Sequence, residues 1–204
     1  MNLKPYLLFV FAMAAPLAGA AENSRFSIEG SAGVSQFKFR RDQFRNEQGT
    51  TGDAPTVLSA RAQDMSLRIG ADYRVNADWG VDLNYQDTGK IRVRGLVPLS
   101  GGGFDPFTTR IHQTMWSLGI SYRFPTSDPV AYILRFGFSD WENSYDHTGT
   151  PITGMHDESG TSPYVEFSVR LPIFRPGLSI GGNLGYQYGM QASRRLSGSL
   201  RYSF

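Results

Sequence analysis

Met65-Ser66-Leu67-Arg68-Ile69-Gly70-Ala71-Asp72-Tyr73-Arg74-Val75 alternates without a break. Met65, Leu67, Ile69, Ala71, Tyr73 and Val75 share one face, and Ser66, Arg68, Gly70, Asp72 and Arg74 share the other. Period 2 is the mark of a β-strand whose two faces meet different surroundings. Asn76-Ala77-Asp78 follows as a turn. Trp79, Val81, Leu83 and Tyr85 then alternate with Gly80, Asp82, Asn84 and Gln86. Two such runs joined by three residues read as an antiparallel hairpin.

The same alternation recurs along the chain. Trp116 to Phe124 precedes a turn at Pro125 to Pro129, and Val130 to Ser139 follows it. Val165 to Leu171 leads through a Pro172 to Gly177 turn into Leu178 to Tyr188, and Arg194 to Phe204 closes the series. Arg25 to about Phe39 is the least regular strand. Phe26, Ile28, Ala32 and Val34 share a face, but Phe37 and Phe39 fall on the other. A bulge near Ser35 or Gln36 would restore the register, unless the strand top leaves the membrane. The expected fold is thus all-β: an eight-stranded antiparallel up-and-down barrel.

The connections alternate in length. Short turns follow the second, fourth and sixth strands. Long loops are expected at 40–63, 89–110 and 142–161, and only the last link, near Met190 to Ser193, breaks the rule. Short turns at one end and long loops at the other suit a transmembrane β-barrel.

The first twenty residues read as a signal peptide, with Lys4, an apolar Tyr6 to Ala15 and the cleavage motif Ala18-Gly19-Ala20. The barrel domain is then expected over 21–204. No other stretch is apolar and long enough for a membrane helix, which needs about 20 residues. The chain has no cysteine, which excludes disulfides and thiolate metal sites. A net charge of +2 gives no reason to expect nucleic acid as a partner.

A soluble barrel with its apolar face inward would show the same alternation. Three features favour lipid outside. The polar face carries opposed charges able to pair inside a narrow lumen: Glu29, Arg68, Asp72, Arg74, Asp82, Arg123, Arg135, Glu166, Arg170 and Arg201. Trp79, Tyr122, Phe124, Tyr132, Tyr202 and Phe204 sit where strands meet turns, as in an interfacial aromatic girdle. The chain also stops on an aromatic, Phe204, after a strand of spanning length.

Gly70 to Val75 with Trp79 to Lys90 resembles the second hairpin of the OmpA-type eight-stranded outer-membrane barrels. Ala131 to Gly137 with Trp141 resembles their fifth strand, and Leu200-Arg201-Tyr202-Ser203-Phe204 their terminal strand. The plan is closer to the barrel-only, OmpX-like members, without a peptidoglycan-binding domain. The resemblance implies location in the cell outer membrane, with long loops extracellular. It implies Tyr202 and Phe204 as the assembly signal for the barrel-assembly machinery, with periplasmic chaperones as further partners.

Lipid A-modifying barrels need a histidine with a serine and an acid. His147 lies beside Ser144 and Asp146, and His156 beside Asp157, Glu158 and Ser159, while His112 has lipid-facing parity. Sequence proximity makes no triad, and the late strands lack the His-x-Ser run of the deacylases. No catalytic residue, cofactor or metal is assigned. A basic set, Arg40, Arg41, Lys90, Arg92, Arg94 and Arg110, gathers where the strands leave the outer leaflet, beside lipopolysaccharide phosphates. The expected role is structural or surface-interacting, with a lumen plugged by charges. A small passive pore is the alternative, and a lipid A-modifying enzyme comes third.

Overall fold

Nine strands run in chain order: β1 (Phe26–Phe37), β2 (Thr56–Arg61), β3 (Gln63–Arg74), β4 (Trp79–Pro98), β5 (Phe104–Arg123), β6 (Ala131–Gly149), β7 (Glu158–Pro172), β8 (Leu178–Gln187) and β9 (Ser193–Ser203). The computed structural model describes residues 25–37, 56–61, 63–98, 102–127, 129–149, 158–173, 175–188 and 193–204. The expected signal peptide, Arg40 and Arg41 lie outside the described residues.

Every pairing is antiparallel, and β4–β5 pairing closes the sheet, giving the ring β1-β3-β4-β5-β6-β7-β8-β9. Eight strands therefore form the barrel. The short β2 pairs with the far half of β4, beyond the stretch that β3 covers. Closure leaves the ring of eight without an edge strand, which is what lipid demands of a β-structure.

The apolar face points outward. Leu67, Ile69, Leu118, Phe138, Leu184 and Leu196 are exposed, whereas Arg135, Glu166, Asp82 and Asn183 are buried inside. That arrangement inverts a soluble protein, and the inward-facing apolar barrel is excluded on these grounds.

The short turns are built by local polar contacts. Asn76 Oδ1 accepts from the Asp78 and Trp79 amides at 3.0 and 2.8 Å. Gly177, at φ +79°, takes the left-handed position of the β7–β8 turn, and its carbonyl accepts from the Ser203 amide at 2.8 Å.

Four expectations need correction. β1 pairs with β3 and β9 in unbroken register, so no bulge stands near Ser35 or Gln36. Phe37 instead turns inward and is buried. The stretch 89–110 is not a loop: β4 and β5 pair from Trp79–Tyr122 up to Pro98–Phe104. The loop expected at 142–161 is likewise mostly strand, since β6 runs to Gly149 and β7 starts at Glu158. The region 40–63 contains β2.

A true bulge lies elsewhere, between Asp87 and Lys90 of β4. Gly89 adopts φ +78° there, and a Cβ would run into the Met65 carbonyl. The bulge shifts side-chain parity by one. Below it Asp82, Asn84 and Gln86 face the lumen, while above it Ile91 and Val93 do.

β4, β5 and β6 contain 20, 20 and 19 residues, whereas β8 and β9 contain 10 and 11. Spanning takes about 9–11 residues. The wall on the β4–β6 side therefore extends roughly 30 Å further along the strand, at about 3.3 Å per residue.

Candidate functional site

The lumen has three levels, two packed with side chains and one open as a cavity. The middle layer is ionic. Glu166 on β7 accepts from Arg68 of β3 at 2.6 Å and from Arg135 of β6 at 2.8 Å, and it also pairs with Arg195 of β9. Glu29 on β1 accepts from Arg135 at 3.1 Å and pairs with Arg170 of β7. β1 and β6 stand four places apart in the ring of eight, as do β3 and β7. These pairs therefore reach across the full width of the barrel.

Neutral side chains complete the layer. Arg68 Nε and Nη2 donate to Asn84 Oδ1, and Asn84 Nδ2 donates to Asp82 at 2.6 Å. The Tyr164 hydroxyl donates to Asp82 at 2.7 Å. Arg135 also donates to Ser168 at 2.7 Å. A Cβ at Gly119 would overlap the Tyr164 hydroxyl, so the small residue makes room for that crossing. An isolated ion in this lumen would be costly, and mutual pairing offsets its desolvation.

Toward the long-hairpin end the second layer is apolar. Phe37, Ile91, Val93, Phe107 and Ile111 are each no more than 3% exposed and pack together, with Tyr145 against them. Burying each contributes about 2 kcal/mol.

Toward the short-turn end the lumen widens into a cavity of about 610 Å³. Arg74, Arg123, Arg170 and Arg201 line it together with Asp72. Arg201 donates to Asp72 at 2.8 Å, and Ser121 does so at 3.0 Å. Arg74 and Arg123 thus belong to the cavity wall rather than to the ionic layer.

The aromatic residues cluster on the outside at the same short-turn end. Trp79 and Tyr122 rings lie 4.8 Å apart, Tyr122 and Phe124 5.0 Å, and Tyr202 and Phe204 5.0 Å. Tyr132 stacks on Phe167 at 6.3 Å, and Phe204 lies 5.8 Å from Phe26. The Phe204 amide donates to the Phe26 carbonyl at 3.1 Å, extending the β1–β9 seam.

Above the bulge the outer face turns basic. Lys90, Arg92, Arg94 and Arg110 are all exposed there. Arg92 stands directly opposite Arg110 across β4–β5, and Arg61 of β2 occupies the register position on the other side of Arg92. Arg110 reaches Asp146 only at 3.7 Å.

His112 lies on the outward face of β5 and pairs with Asp87 at 2.9 Å. His156 lies outside the described residues. Among the described residues, no group of three or more His, Cys, Asp or Glu is gathered as a metal site.

Two members of the ionic layer were absent from the sequence-derived set. Arg195 shares the parity of Ser197, Ser199 and Arg201, and Tyr164 shares that of Glu166. The alternation already carried that signal for both. Phe37 already stands on the opposite parity from Phe26, Ile28 and Val34, whereas nothing comparable marks Ile91 or Phe107 as lumen residues, because both fall in the stretch 89–110 that reads as a loop.

Residues 6–173 match the family model of the outer membrane protein beta-barrel domain. The chain belongs to this family. Two solved structures share the architecture of this outer-membrane barrel. Neisserial surface protein A is 19% identical, with 89% of this chain and 98% of that chain covered at a TM-score of 0.51. The outer membrane protein OprG from Pseudomonas aeruginosa is 10% identical, with 91% and 100% covered at a TM-score of 0.57. At these identities the likeness is one of fold. No curated protein matches the chain. Family and fold together place the barrel in the outer membrane.

Proposed function

We propose that this barrel is a surface-interaction protein with a plugged lumen, whose tall β4–β6 wall stands on the extracellular side. Its basic outer row contacts the phosphates of lipopolysaccharide. The facing of Arg92 and Arg110 across β4–β5 carries this reading. Like charges directly opposite one another destabilise a sheet, by up to about 1 kcal/mol. A phosphate between two guanidinium forks reverses that sign.

The reading takes the barrel-assembly machinery and periplasmic chaperones as partners before insertion. It assigns no catalysis, so lipid A mass spectra should stay unchanged on expression. A passive pore is the rival reading, and the cavity at the short-turn end is the observation that favours it.

Glutamine at Lys90, Arg92, Arg94 and Arg110 tests the lipopolysaccharide contact. Lipopolysaccharide binding to the refolded variant should fall about tenfold or more and lose its salt dependence. Binding equal to the wild type would sink this reading.

A further inference from the structure

The short-turn end holds more positive charge than its own acids neutralise. Five arginines line the cavity, Arg74, Arg123, Arg170, Arg175 and Arg201, against the two carboxylates of Asp72 and Asp78, an excess of three. Asp72 is engaged by Arg201 and Ser121, and Arg170 is engaged by Glu29. Among the described residues no carboxylate pairs with Arg74, Arg123 or Arg175.

A second observation points the same way. Arg201 is only 7% exposed, and its Nη1 is buried with no hydrogen-bond partner, as is Arg170 Nε. A buried charged donor left unmade is costly, and such groups ordinarily find an acceptor. Arg201 and Arg170 both line the cavity of about 610 Å³, within the usual range for small-ligand sites.

We infer that this cavity is an anion site for a small multivalent ligand bearing phosphate groups. The arginines arrive from β3, β5, β7, β9 and the β7–β8 turn, on different sides of the cavity. That spread suits a tetrahedral group with acceptors all round, whereas a planar carboxylate is satisfied by one fork. A ligand with two or more negative charges matches the excess; a single monovalent ion does not. The site lies at the opposite end from the basic outer row and does not depend on that row's role.

The probe is inorganic pyrophosphate, titrated into the refolded full chain in uncharged detergent. Saturable binding is expected. Arg123→Gln and Arg175→Gln, both outside the ionic layer, should each weaken it about tenfold. Wild-type footprinting with an arginine-selective dicarbonyl reagent needs no variant. Pyrophosphate should protect Arg74, Arg123 and Arg175. Repeating the titration in nanodiscs containing phosphatidylglycerol separates the sources. Unchanged affinity assigns the site to a soluble phosphate compound, and competition by the lipid assigns it to a headgroup. Absence of saturable binding at millimolar pyrophosphate, or protection confined to Arg92, Arg94 and Arg110, would overturn the proposal.

Discussion

Arg135 Nη2 and Glu29 Oε2 meet at 3.1 Å although their strands, β6 and β1, stand on opposite sides of the barrel. Arg68 and Glu166 make a second crossing of the same kind at 2.6 Å. Two full-width ion pairs in one layer leave that level of the lumen occupied by side chains. This is the physical basis for a plugged barrel, and the closeness of eight strands makes it geometrically possible.

Glu166 is the hub of the layer, since Arg68, Arg135 and Arg195 all converge on it. Glu166→Gln removes the negative charge and leaves three guanidinium groups facing one another. Breaking a buried pair in this way costs about 3–5 kcal/mol. Urea unfolding of the refolded protein in detergent, followed by tryptophan fluorescence, should show that loss. A midpoint within experimental error of the wild type would contradict the role of Glu166.

The apolar layer tests the long-hairpin end separately. Phe37→Ala opens a void beside Ile91, Val93, Phe107 and Ile111, at a cost of about 3–5 kcal/mol for a buried aromatic. Loss of that packing should loosen the β4–β5 hairpin, which exposes Lys90, Arg92 and Arg94. Trypsin cleavage at these residues should accelerate at least tenfold, while the ionic layer below holds the barrel closed. Unchanged cleavage would show that Phe37 does not brace the hairpin.

Gly89 sets which side chains face out above the bulge. Gly89→Ala places a Cβ at φ +78° against the Met65 carbonyl, so destabilisation above the roughly 1 kcal/mol of an ordinary Gly–Ala difference is expected. Deleting Thr88 removes the extra residue, so a regular, unbulged strand then carries Gln86, Ile91 and Val93 on the same inward face. Cysteine labelling at position 92 reads this directly: a membrane-impermeant reagent should react in both the parent and the deletion, and loss of labelling in the deletion would contradict a one-residue bulge.

Phe204 separates folding from assembly. Phe204→Asp removes the ring beside Phe26 and Tyr202 but leaves the backbone bond to Phe26 available. If Phe204 is read by the assembly machinery, the variant refolds in detergent yet reaches the outer membrane at a small fraction of wild-type yield. Equal yields in cells would leave it a seam residue only.

The barrel was legible where alternation ran unbroken. From Met65 to Val75 every inward residue is polar or glycine and every outward one apolar, because one side meets lipid and the other a narrow lumen. The alternation loses its meaning where that contrast inverts. Above Gly89 the outside becomes charged and the inside apolar, so Lys90, Arg92 and Arg94 resembled loop residues and the β4–β5 ladder was missed. Phe37 is another apolar residue on the lumen face, which is why β1 reads as the least regular strand. The charged lumen residues were recognisable by parity, but their partners were not. Glu29 and Arg135 lie 106 positions apart, and only barrel closure brings them together.

Planar-bilayer conductance of the purified, refolded protein tests the plugged lumen most directly. With Arg135–Glu29 and Arg68–Glu166 intact, bilayers containing heat-modifiable, folded protein should remain electrically silent across the applied voltage range. Reproducible single-channel steps from that same folded protein would contradict the plug and establish the passive pore.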